Sequence, residues 1–135
     1  MKIEKIKVSI DRDDVCNLLT MEAGGFDYWA EIDYKEADYL KAKDEMHLKH
    51  IPSYFSDERY CYEEVLAYMI CDTDYKVWVY DFEEDKRYRL TKTRIENGFT
   101  LNAEKRPQDS NLEEGDSTTG DCILQYAIFG DIIYG

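Results

Sequence analysis

His47 and His50 are spaced so that one helical face can present two imidazole nitrogens to a metal ion, provided a thiolate or carboxylate joins them. No acid completes an HExxH, and no cysteine lies within ten residues of the pair. The spacing therefore predicts two exposed polar side chains. Asp11, Arg12, Asp13 and Asp14 open like a calcium loop but lack its turn glycine at the sixth position, where Cys16 stands, so helix capping is the expected role. Cys16, Cys61, Cys71 and Cys122 are scattered, as expected of reduced thiols packed as small hydrophobes. No GxxxxGK[ST] or GxGxxG cradle for phosphates is present. Without a nucleophile motif beside the two histidines, the expectation is a protein that is not an enzyme and carries no metal or cofactor.

What stands out is charge combined with aromatics. Thirty acids against 17 bases give a formal charge of −13, and the chain holds 12 Tyr, 5 Phe and 2 Trp. Direct nucleic-acid or anionic-membrane binding needs a basic footprint, which this composition opposes. Disordered acidic chains are poor in aromatics, so this one is expected to fold. Acids crowd the middle third and alternate with Tyr28, Tyr34, Tyr39, Tyr54, Tyr60 and Tyr62. A basic nucleic-acid channel accepts another array of anions, and tyrosine supplies rigid contact area with a polar tip. The expected partner-binding residues are Tyr28, Glu31, Asp33, Tyr34, Glu36, Asp38, Asp44, Glu45, Asp57 and Glu58. A solvated acidic surface with tyrosines at the rim of the core fits the same composition.

The elements that must position these groups follow from periodicity. Ile6, Val8 and Ile10 alternate as in a strand; Asp11 then caps a helix carrying Val15, Leu18 and Leu19, which Gly24-Gly25 ends. For 26–34 the helix and strand templates score nearly equally, and the reading adopted is a helix followed by an extended piece. Residues 36–47 predict a solvated helix or an excursion over the surface. Tyr62, Val65, Leu66, Met69 and Ile70 mark the clearest amphipathic helix, started by Ser56 or Asp57. Val77 to Tyr80 and Tyr88 to Leu90 read as a β-hairpin, and Thr91 or Thr93 caps a weaker helix interrupted by Gly98. Residues 106–119 predict a mobile acidic loop. The final apolar run predicts a buried helix over 122–129, capped by Asp121 and ended by Gly130, then a short strand over 132–134.

Together these predict one domain, 1–135, of the α+β class: a small, mainly antiparallel sheet with helices packed on one face. The N-terminal Met1-Lys2-Ile3-Glu4-Lys5-Ile6-Lys7 lacks an apolar signal region, and no run approaches the roughly 18 apolar residues of a membrane span. A cytoplasmic protein is expected.

Two segments carry a resemblance. Gly24-Gly25-Phe26-Asp27-Tyr28-Trp29 resembles a Gly-Gly-x-x-Tyr-Trp motif, and Asp121 to Gly135 resembles the C-terminus, of a family of small uncharacterised phage and prophage proteins of Firmicutes. The stretch 33–60 has no counterpart and reads as an insertion. The resemblance brings no catalytic or binding residue, but it implies a context: an inhibitor of host defence, of anti-CRISPR or anti-restriction type, in the host cytoplasm. Its implied partner is a host defence nuclease or another basic nucleic-acid-binding protein. A small-molecule-sequestering protein and a phage accessory or structural protein are the alternatives.

Overall fold

The computed structural model describes residues 8–20, 25–53, 59–107 and 117–135. In chain order the elements are α1 (Arg12–Thr20), β1 (Ala30–Tyr34), α2 (Glu36–Leu48), α3 (Tyr62–Asp72), β2 (Val77–Asp81), β3 (Lys86–Arg89), α4 (Lys92–Lys105) and α5 (Ser117–Phe129). The expected α+β class holds: three antiparallel strands in the order β1-β2-β3 are combined with helices.

The register sorts the sheet's two faces. Ile32 pairs with Val79 and Tyr34 with Val77; Ile32, Val79 and Val77 point into the core, with Tyr34 half-buried at its rim. Asp33 pairs with Trp78, and Tyr80 with Glu31 and Arg87, so these residues share the outer face. There Arg87 stacks 4.2 Å from the Trp78 ring centre and pairs with Asp33 at 3.4 Å. Alternation of this kind is what a sheet covered on one side requires.

Helix α3 is the centre of the packing, with Val65 to Ile70 all buried. Its first turn is held by a capping box in which the Cys61 thiol and the Glu64 carboxylate each bond the other's backbone. Helices α1 and α2 pack on α3, while α4 pairs with α5. Gly98 does not break α4. A Cβ there would lie 2.5 Å from the Ile123 carbonyl oxygen, so the missing side chain permits the close approach of α5. One core cluster draws on all five helices and on β1 and β2. Segment 33–60, read as an insertion, contributes Ala42, Met46 and Tyr60 to that same core.

Several elements differ from the sequence reading. Residues 26–29 form turns and the strand begins at Ala30, because β2 offers a pairing edge that local periodicity could not reveal. Of the expected first strand, residues 1–7 lie outside the described residues. Val8 and Ile10 donate their amides to the side chains of Thr100 and Glu96, and 8–10 is not a strand. Helix α3 starts at Tyr62 rather than at Ser56 or Asp57, both of which lie outside the described residues. Helix α5 starts at Ser117, so the end of the predicted loop is helical, and 108–116 lies outside the described residues. Asp121 is therefore inside a helix and does not cap it. Gly130 does end it, at φ 73°, but 132–134 forms no strand.

Candidate functional site

Residues 28–29 and 121–134 meet in space. Trp29, fully buried, donates its indole N–H to Asp121 Oδ1 at 2.8 Å, and the Tyr28 hydroxyl donates to Asp121 Oδ2 at 2.6 Å. One turn later on α5, Gln125 gives its amide N–H to Asp121 Oδ1 at 2.9 Å. Its Oε1 accepts the backbone amides of Ile133 and Tyr134, each at 2.8 Å. The Tyr134 hydroxyl reaches Asp81 Oδ2 at 2.7 Å, and its ring packs 5.2 Å from Trp29.

This is a clasp. Asp121 and Asp81 are both buried, and each is held by neutral donors. Charge-assisted bonds of this kind replace the hydration that burial removes. Burial first, and then the bond to Asp121, pushes the Tyr28 phenol above its ordinary range; Tyr134 rises likewise through burial and Asp81. Both phenols stay protonated donors at neutral pH. These residues thus close the C-terminus onto the sheet; Tyr28, expected at a partner surface, keeps half its surface exposed while its hydroxyl is tied to α5.

A second constellation is open to solvent. Tyr34 at the end of β1, Tyr39 on α2 and Tyr62 at the start of α3 bring their rings together, with centroids 5.4, 5.7 and 6.1 Å apart. All three pairs are tilted, so no ring fully covers another's face. With Asp33, Glu36 and Leu40 they line a groove of about 530 Å³, the size range of ligand sites. Burial raises the Tyr39 phenol, with the nearby Tyr34, Cys61 and Glu63 adding to the shift, so it remains neutral. Leu40, 52% exposed, places an apolar surface at the rim.

The sequence-predicted contact residues divide. Tyr34, Asp33 and Glu36 meet at the groove. Glu31 is exposed on the outer sheet face, and Asp44 lies two turns after Glu36 on the exposed side of α2. Asp38 and Glu45 occupy the other flank, where Glu45 accepts from the Tyr75 and Tyr68 hydroxyls at 3.2 and 3.4 Å. Glu45 is thereby a structural acceptor. Asp57 and Glu58 lie outside the described residues. Tyr39 and Tyr62 were not among the expected contacts. The signal for Tyr39 was its spacing from Ala42 and Met46, the buried side of an otherwise polar helix, which puts it at the rim of the core.

No family model, curated protein or solved structure matches this chain. Among the described residues no group of three His, Cys, Asp or Glu side chains converges as a metal cluster. α2 ends at Leu48, so His50 lies beyond it in a left-handed turn while His47 packs against Tyr60. Asp11 and Asp14 cap α1 reciprocally, each side chain accepting the other's amide. The four cysteines are free, and burial pushes the Cys16 and Cys71 thiols up to about 12, which leaves them unreactive near neutral pH. Among the described residues no helix is long and apolar enough to cross a membrane.

Proposed function

We propose that this protein is a non-enzymatic inhibitor that lays the acidic surface of β1 and α2 on a basic, nucleic-acid-binding surface of a host defence protein. The observation that carries this reading is the acidic excess of that unit, in which six acids between Ala30 and Leu48 stand against Lys35, Lys41 and Lys43. Glu31, Glu36 and Asp44 are exposed on β1 and α2, and among the described residues none of them has an ion pair. Uncompensated surface charge contributes little to folding but steers association with a surface of opposite sign. The defence context comes from the resemblance of the two clasp segments. A nuclease's nucleic-acid channel is the partner class that combines the needed basic charge with that context.

The test is inhibition of purified CRISPR effector and restriction nucleases, measured with and without competing DNA. The expected result is inhibition that weakens as salt shortens the Debye length below about 8 Å, and that DNA relieves by competition. Replacing Glu31, Glu36 and Asp44 together by Gln or Asn should slow association by roughly tenfold or more with the fold intact. Inhibition that the threefold variant retains in full, or simultaneous binding of protein and DNA, defeats the reading. The groove supports a second reading, sequestration of a small molecule, which native mass spectrometry would reveal as a co-purifying mass.

A further inference from the structure

We propose that the groove formed by Tyr34, Tyr39 and Tyr62 receives an arginine side chain of the partner, its guanidinium lying across the tyrosine rings and paired with Glu36. This rests on the reading of the protein as a binder of basic surfaces, and identifies the anchor within that contact. Three rings with centroids no more than 6.1 Å apart allow one cation over the groove to come within about 6 Å of all three, the range of cation–π attraction. Glu36 is exposed at the groove and has no ion pair among the described residues. Asp33, also lining the groove, adds negative potential although it already pairs with Arg87.

Arginine fits this combination better than lysine. A guanidinium is planar and weakly hydrated, so it can stack on a ring while its edge bonds a carboxylate; a compact ammonium holds its water more tightly. The chain makes the same pairing for itself on the outer face of the sheet, where Arg87 stacks on Trp78 and bonds Asp33. The lysine form also occurs, with Lys49 Nζ 5.1 Å from the Tyr68 ring centre, so lysine must be compared directly. A volume of about 530 Å³ leaves space for the partner backbone on either side of one long side chain.

The experiment titrates the full chain with tetra-arginine, tetra-lysine and tetra-citrulline peptides, followed by NMR of the tyrosine ring resonances. Citrulline keeps the planar shape of arginine and removes its charge. The expected result is a shift at Tyr34, Tyr39 and Tyr62 with tetra-arginine, affinity for tetra-lysine lower by several-fold, and no binding of tetra-citrulline. Tyr39→Leu and, separately, Glu36→Gln should each weaken tetra-arginine binding by roughly tenfold. Glu36 is exposed, so its variant tests the pocket even where Tyr39→Leu disturbs packing. Equal affinity for the arginine and lysine peptides overturns the assignment, as do shifts confined to residues outside the groove or parental binding by Glu36→Gln. Nuclease inhibition that persists in a Glu36→Gln protein unable to bind tetra-arginine removes the arginine anchor and leaves the inhibitor reading standing. Arginine binding at the groove without any nuclease inhibition does the reverse.

Discussion

The clasp and the groove use the same side chains, tyrosines and carboxylates, for opposite ends. In the clasp, Asp121 accepts from Tyr28, Trp29 and Gln125, and Asp81 accepts from Tyr134 and from the Glu83 amide. These acids are buried, and their bonds from Tyr28, Trp29 and Tyr134 join parts of the chain far apart in sequence. In the groove the rings are half-buried, Glu36 is exposed, and the contacts that define the site are ring against ring. The difference teaches that residue type does not assign a role here. A tyrosine and an acid stabilise the fold where burial makes an unmade bond costly, and remain available to a partner where water can replace that bond.

The largest effect should separate the two regions by stability. Trp29→Ala removes a fully buried ring and its N–H, and should cost about 3–5 kcal/mol in urea melts, a large part of a typical domain's 5–15. Tyr39→Ala, at the rim, should cost clearly less. If the two variants cost the same, the distinction between clasp and groove fails.

Next in size, Asp121→Ala should lose about 1–3 kcal/mol, because the Trp29 N–H is left buried without an acceptor. Asp121→Asn, which keeps one carbonyl oxygen, should lose less. Gln125→Ala should instead speed hydrogen exchange at the Ile133 and Tyr134 amides, whose acceptor it removes. Unchanged exchange there would mean that other contacts seat the C-terminus.

Alkali should act on the buried side of the comparison. Cys16 and Cys71 rise from 9.0 to about 12, and Tyr28 and Tyr134 rise above 10.0, so the folded state holds these protons more tightly than the unfolded chain. Their contribution is complete below about pH 9 and is lost as pH climbs from there toward 12. The urea midpoint should fall over that window, and Tyr28→Phe with Tyr134→Phe should flatten its upper part. A midpoint level to pH 11 contradicts the tighter hold of the folded state on these protons.

The smallest expected change in stability is at the acidic surface. Glu36→Gln with Asp44→Asn should alter stability by no more than about 0.5 kcal/mol, while slowing association with a basic partner at low salt. A larger loss would mean that these carboxylates hold the fold, as Glu45 does through Tyr75 and Tyr68.

Local pattern determined much of this chain. The spacing of Val65, Leu66, Met69 and Ile70 specifies a helix with a buried face; Val77 and Val79 facing Tyr88 across a polar turn specify a hairpin; Gly130 specifies where the last helix stops. Each depends on side chains a few residues apart, whose shared face follows from backbone geometry alone. Tertiary structure decided the rest. Residues 30–34 became a strand because β2 supplied hydrogen-bond partners some 45 positions away. Asp121 looked like a helix cap and became the centre of a clasp because Trp29 arrived 92 positions from it, an encounter no local period encodes. The groove has the same origin: Tyr34, Tyr39 and Tyr62 lie on three elements, and packing against α3 brings their rings together.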